Sequence, residues 1–588
     1  MKTIVDLNGR WRFSPTHDQR PTNNHNVIES DLPLYADPRL NRRDWDVVDV
    51  PGVWQRYAER YSIYEGVCWF YREFSIDFTP QDGDLVRVHF GGVNYRADVY
   101  VNGRHAGTHE SAYTAFSMNI TPLLHEGVNA IAVEVDNRPL VTKWPNDWGY
   151  GVFGGIHREV FLEILRGEYL YDVELTPTYD TKAEGGRLSV RARTYGATES
   201  AYVTIGERQY PLTLSGGEAF ADVILEDVIP WTPDLPTLTS VSVNAGGAVY
   251  DEGRIGFREV TCECGQIRLN GAPIELCGVC YVYDHPKWGL VMDRAQLVED
   301  LLSMKEAGVN AIRTHYPMSR DFYELCDAMG FLVWIEPNVY CAKPTETMQN
   351  TVFSRREFVD AAVSMTREMI YDARRYASVI LYGIGNECNV CHPEARPFFS
   401  LLAQTVRELD PTRLVAYASL YGQVGCMADL VDVMGINSYF GWYGTFPSFE
   451  VEDRLPLSDG NVPKREVDVH ELSELITRVR GELPKDTALL LTEFGADSIP
   501  GYYSTACELW SENYHAEVIR AYITTARAED VRGTFVFAYT DYFDPSKPKN
   551  GRWREHNLKG MLTYEREKKL PYYAMSEMYG GSAQKRTN

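Results

Sequence analysis

The sequence predicts a multidomain chain of three modules. An N-terminal β jelly-roll spans residues 1–166, an immunoglobulin-like β-sandwich 167–257, and a C-terminal (β/α)8 TIM barrel 258–588. Three observations carry this expectation. A length of 588 residues calls for several cores, at roughly 100–200 residues per domain. Short β-rich runs broken by Gly, Asn and Pro fill the first 257 positions. After Gly256-Phe257-Arg258-Glu259-Val260 the pattern changes to apolar strands alternating with amphipathic helices, the texture of a parallel α/β domain.

In the first module Leu85–Phe90, Ala97–Val101 and Ala130–Val135 read as strands, and Asn102-Gly103 sits where a tight hairpin turns. Leu188–Arg193 and Ser240–Val243 mark the second module, which is short enough for one sandwich. The third offers eight strands: Glu275–Tyr283, Val309–Thr314, Phe331–Glu336, Val379–Asn386, Leu414–Ala418, Val431–Ser438, Ala488–Glu493 and Gly533–Tyr539. Helices are expected over Ala295–Ala307, Arg320–Met329, Arg355–Arg374, Arg396–Leu409, Val469–Arg480 and Cys507–Arg527. Such a barrel carries its chemistry at the C-terminal ends of its strands.

Lys plus Arg number 58 against 82 Asp plus Glu, a formal charge of −24 that repels nucleic acid and anionic lipid surfaces. The 38 Tyr, 12 Trp and 23 Phe suit sugar binding, although core packing alone accounts for many aromatics. Eleven cysteines, an odd count, fit reduced thiols better than a disulfide framework. The N-terminus has no apolar run of signal-peptide length, and no stretch approaches the roughly 18 apolar residues of a membrane span. A soluble, cytoplasmic protein is expected.

The fourth strand ends in Asn386-Glu387 and the seventh in Thr492-Glu493. Both acids would project into the barrel mouth. Two carboxylates facing one site are what glycoside hydrolysis needs: one protonates the leaving oxygen and the other meets an oxocarbenium-like carbon. Taken singly, a strand-end glutamate can equally cap a helix or pair with an arginine.

Several stretches resemble glycoside hydrolase family 2, and within it the β-glucuronidases: Trp69-Phe70-Tyr71-Arg72, Gly91-Gly92-Val93-Asn94-Tyr95, Gly154-Gly155-Ile156-His157-Arg158 and Arg313-Thr314-His315-Tyr316-Pro317. The resemblance covers essentially the whole chain and implies the same order of modules, with the jelly-roll as a sugar-binding domain. It implies that Glu387, after Asn386, is the acid/base and that Glu493 is the nucleophile of a retaining exo-β-glycosidase acting on β-D-glucuronides. Asn557 and Lys559, in His556-Asn557-Leu558-Lys559-Gly560, match an Asn-x-Lys-Gly signature that binds the substrate's carboxylate. A buried uronate needs such donors to offset lost hydration. Arg552 and Arg554 lie just upstream.

By the same resemblance Tyr439 would hydrogen-bond the nucleophile, Tyr443 would contact the sugar, and His315 and Asp147 would bind its hydroxyls. The chain departs from the family in the eighth strand, where the family commonly has Trp and this chain has Phe535. The short loop 338–354 implies an open mouth suited to larger glycosides or oligosaccharides. A homo-oligomer is implied, with no metal and no cofactor. The alternatives are β-galacturonidase or β-galactosidase activity and, more remotely, a non-catalytic carbohydrate-binding protein.

Other motifs carry less. Cys388-Asn389-Val390-Cys391-His392 spells a haem-attachment pattern directly after Glu387, and Cys277-Gly278-Val279-Cys280 lies too far away to complete a zinc ribbon. Gly149–Gly154 matches G-x-G-x-x-G without a strand–turn–helix context. Asn119-Ile120-Thr121 is a glycosylation sequon without a secretory setting.

Overall fold

The computed structural model describes residues 2–15, 33–143, 153–196, 200–340, 352–443, 466–545 and 555–582. In the N-terminal module a four-stranded sheet, Lys2–Asp6, Val160–Leu165, Leu85–Phe90 and Phe116–Asn119, accompanies a six-stranded one that contains Val67–Ile76, Gly127–Asp136 and Arg96–Val101. Leu85–Phe90 buries every second residue, so Val86, Val88 and Phe90 join Phe13, Trp54, Phe70 and Ile131 in one core. Asn102 and Gly103 both have positive φ, +51° and +78°, and close the hairpin between Val101 and Arg104. Those angles belong to the turn that follows the right-handed strand twist.

Two four-stranded antiparallel sheets follow, built around Tyr169–Asp180 with Gly185–Tyr195 and around Ala201–Ile205 with Thr239–Ala245. They enclose a separate core of Leu188, Val190, Val203, Val223, Val241 and Ile255. A small sheet of Val260–Glu263, Gln266–Leu269 and Ala272–Pro273 comes next, and it shares an apolar cluster with Leu276, Ala488 and Leu490 of the barrel.

The barrel is closed and parallel. Its strands are β1 (Leu276–Tyr281), β2 (Ala311–Thr314), β3 (Leu332–Ile335), β4 (Val379–Asn386), β5 (Leu414–Leu420), β6 (Val433–Asn437), β7 (Ala488–Glu493) and β8 (Gly533–Val536), and β8 pairs back to β1. Each overlaps one of the predicted strands, with ends that differ by up to three residues. β8 ends at Val536, short of the predicted Tyr539; beyond it Phe537 N donates to Phe494 O at 3.0 Å and Tyr539 N to Cys280 O at 2.9 Å. The helix predicted from Cys507 starts at Glu512, where Ser511 accepts the Tyr514 N–H at 3.1 Å as N-cap. Leu570–Tyr579 forms a further helix that the sequence reading did not contain.

Two buried arginines, Arg158 of the first module and Arg258 directly after the sandwich, fasten the β-rich part of the chain to the barrel. Arg158 donates to Tyr113 O at 2.7 Å in its own module and to Pro317 O at 2.6 Å in the loop after β2. Arg258 donates to Ala377 O at 3.1 Å and, within β4, to Val379 O at 2.7 Å. Among the described residues no helix is long and apolar enough to cross a membrane.

Candidate active site

The C-terminal ends of β2, β3, β4, β6 and β7 converge on one network of side chains. Arg313 of β2 is wholly buried and donates Nη1 to Glu493 Oε1 at 2.9 Å. Its Nη2 reaches Glu336 Oε1 at 2.8 Å and Asn386 Oδ1 at 3.0 Å. Tyr439 OH donates to the other Glu493 oxygen at 2.8 Å, and His315 Nε2 lies 3.4 Å from Oε1. Burial pushes the Glu493 carboxyl up, but His315, Arg313 and Tyr439 outweigh it and hold the acid below its ordinary value. Glu493 is thus kept as an anion.

Glu387 sits differently. Asn437 at the end of β6 donates Nδ2 to Glu387 Oε1 at 2.9 Å and to Asn386 Oδ1 at 2.9 Å, while Thr492 Oγ1 fixes Asn437 Oδ1 at 2.8 Å. The backbone of Glu387 has φ +52°, a left-handed conformation uncommon for a residue with a Cβ. Glu387 N donates to Ala418 O at 2.9 Å, so β5 anchors this turn. Asn386 and Glu387 are therefore presented on the same edge by the last residue of β4 and the strained turn after it.

Asn557, Lys559 and Tyr443 also meet. Lys559 Nζ donates to Tyr443 OH at 2.7 Å and lies 4.7 Å from the centre of that ring and 5.7 Å from the centre of the Tyr439 ring. Lys559 N donates to Asn557 Oδ1 at 3.1 Å, and Asn557 Nδ2 to Tyr542 OH at 2.8 Å. Yet this ammonium is no unpaired cation: it is ion-paired with the buried carboxylate of Asp497, which also accepts Leu558 N at 3.0 Å. The aromatic that faces the site at the end of the last strand is Phe537, just past β8, and not Phe535. The Phe537 ring centre lies 5.9 Å from His315, 6.4 Å from Tyr439 and 6.2 Å from Tyr542. Phe535, two residues deeper on the same face, packs against Trp334 inside the barrel.

Asp147, Arg552 and Arg554 lie outside the described residues. The Cys388–His392 motif gathers no metal set: among the described residues no group of three or more His, Cys, Asp or Glu is placed to hold an ion. Cys388 is buried against the Asn386 carbonyl, whereas Cys391 is exposed.

Residues 260–580 match the TIM barrel domain of glycosyl hydrolases family 2, and residues 4–165 match the sugar binding domain of that family. The chain belongs to glycoside hydrolase family 2. It is 23% identical to the β-glucuronidase of Paenibacillus borealis, over 98% of this chain and 97% of that one. With a β-galactosidase of Priestia megaterium it shares 27% identity, over 71% of this chain and 44% of that protein. The crystal structure of a GH2 β-galacturonidase from Eisenbergiella tayi bound to galacturonate superposes with a TM-score of 0.81 at 26% identity, covering 98% of this chain and 97% of that one.

The sequence reading of this family 2 barrel left out Glu336, Asn437 and Asp497 as members of the site. Glu336 directly follows β3 and so carries the same strand-end mark that singles out Glu387 and Glu493. Asp497 gives no local signal: it lies in the loop four residues past Glu493, and its meaning comes from Lys559, 62 positions away.

Proposed function

We propose that the chain is a retaining exo-β-glycosidase that hydrolyses β-D-glucuronides to glucuronate and an alcohol. The observation that carries the reading is the setting of Glu493. Glu493 is held anionic by Arg313 and Tyr439 at the end of β7, and Glu387 stands after β4 at the same mouth, where it accepts from Asn437 at 2.9 Å. A stable anion is what a nucleophile must be. In the first step Glu493 attacks the anomeric carbon and Glu387 gives its proton to the leaving oxygen. In the second, Glu387 takes a proton from water, which then releases the sugar from Glu493. The uronate reading draws on Lys559, Asn557 and Tyr443 standing together beside Tyr439.

A second reading is supported by the likeness to the Eisenbergiella tayi enzyme, because a galacturonide offers the same carboxylate to the same lysine. It differs only in the orientation of one ring hydroxyl. The test is turnover of p-nitrophenyl β-glucuronide, β-galacturonide and β-galactoside by the wild type and by Lys559→Met, with proton NMR of the first anomer released. We expect the β-anomer first, and uronide turnover that falls about 1000-fold in the variant. Release of the α-anomer, or dominant galactosidase activity untouched by the substitution, would refute the proposal.

A further inference from the structure

Besides Asp497, which pairs with Lys559, the barrel mouth holds an acid that a two-step hydrolysis does not use. Glu336 is wholly buried, and its oxygens accept Arg313 Nη2 at 2.8 Å and Nε at 3.3 Å. The same guanidinium donates to Glu493 at 2.9 Å. Arg313 therefore serves one carboxylate that reacts and one that does not.

Forming the intermediate changes only the first. The bond from a Glu493 oxygen to the anomeric carbon forms, the bond from that carbon to the aglycone oxygen breaks, and the Glu387 proton moves to the departing oxygen. Glu493 enters as an anion and becomes a neutral ester. Without Glu336, that ester would leave Arg313 facing neutral groups: the oxygens of Asn386 and Thr492, at 3.0 and 3.4 Å, the Cys280 thiol and the Trp334 ring. An uncompensated buried charge is costly, far more so than an exposed one. Given Glu493 as nucleophile, on which this rests, we propose that Glu336 is a positioning residue that keeps Arg313 paired throughout the life of the glycosyl-enzyme. By sharing the guanidinium it also loosens the hold of Arg313 on the attacking carboxylate.

Among the described residues, the ionisable groups that surround Glu493 include Cys280 from β1, Arg313 and His315 from β2 and its end, Glu336 after β3, Glu387 after β4 and Tyr439 after β6. Of these, Glu336 is the one whose neutralisation turns the whole attraction of Arg313 onto Glu493. That change strengthens the anion, so the acid limb of kcat/KM must move to lower pH.

The experiment compares wild type, Glu336→Gln and Glu336→Asp by stopped flow, on the dinitrophenyl form of whichever glycoside the panel above identifies. The matching 2-deoxy-2-fluoro glycosyl fluoride labels the nucleophile for mass spectrometry. In Glu336→Gln we expect glycosylation slowed on the order of 100-fold, loss of the product burst, an acid limb at lower pH, and deglycosylation no slower than in wild type. Glu336→Asp retains the charge and restores the burst to within about 10-fold of wild type. If the wild type carries no label on Glu493, the nucleophile reading itself falls. If Glu493 is labelled and Glu336→Gln retains both burst and acid limb, the role of Glu336 falls while the nucleophile stands. Should Glu336→Gln fail to fold, Glu336→Asp decides: slowing both steps equally overturns the proposal, and slowing glycosylation alone supports it.

Discussion

Tyr439 and Lys559 each do work that their neighbours define. The Tyr439 hydroxyl, kept protonated by burial and by the nearby Glu493 and Glu387, donates to the charged form of Glu493. Removing a donor to a carboxylate raises its pKa. Tyr439→Phe should therefore move the acid limb of kcat/KM upward, opposite to Glu336→Gln, and lower kcat roughly 10–100-fold; pH–rate profiles on one glycoside check both signs. For Lys559 the ion pair with Asp497 separates recognition from stability. Lys559→Met leaves the Asp497 carboxylate buried without its ammonium and should cost about 3–5 kcal/mol of stability. Adding Asp497→Asn, which keeps an acceptor for Leu558 N, should recover most of that loss in urea melts and none of the uronide turnover.

At the level of strands and helices, period and position told most of the story. All eight barrel strands were legible because apolar runs such as Val379–Asn386 and Ala488–Glu493 are buried from end to end and bounded by turns. The elements that escaped have weak patterns. The sheet after the sandwich is made of strands of two to four residues. The helix Leu570–Tyr579 buries Ala574 on the side opposite Tyr572, Met575 and Tyr579, so its apolar residues do not form a single stripe. In the site, strand ends pointed to Glu387 and Glu493, whereas Asp497 and Phe537 depend on how a loop and the exit from β8 fold back. That dependence is tertiary and leaves no spacing to read.

One short element also predicts an acid response. Gly155–Ile156 pairs with Val93–Asn94 and delivers His157 into a buried setting, where its Nε2–H donates to Ala112 O at 2.7 Å. Burial lowers its pKa from 6.5 to about 3. The unfolded chain then binds a proton below pH 6.5 that the folded chain refuses until about pH 3. The associated stability is complete above 6.5 and is lost as pH falls through that window, at about 1.4 kcal/mol per pH unit. Between pH 7.5 and 4.5 the stability gap between wild type and His157→Gln should narrow by about 2–3 kcal/mol, measured from urea midpoints at both values.

Over the whole molecule, the formal charge of −24 and the proposed anionic substrate pull against each other. The long-range field cannot gather uronides, and the Lys559 charge is already balanced by Asp497. Capture of a uronate must therefore rest on contact geometry at the mouth. The order of the modules has a consequence for how the chain is made. Synthesis runs from the N-terminus, and the barrel carbonyl that receives Arg158 belongs to Pro317, 159 residues later. A nascent jelly-roll can satisfy that guanidinium in part, through Tyr113, and water must serve the rest. The first module thus leaves the ribosome with a wet, charged socket, and only arrival of the loop after β2 dries it.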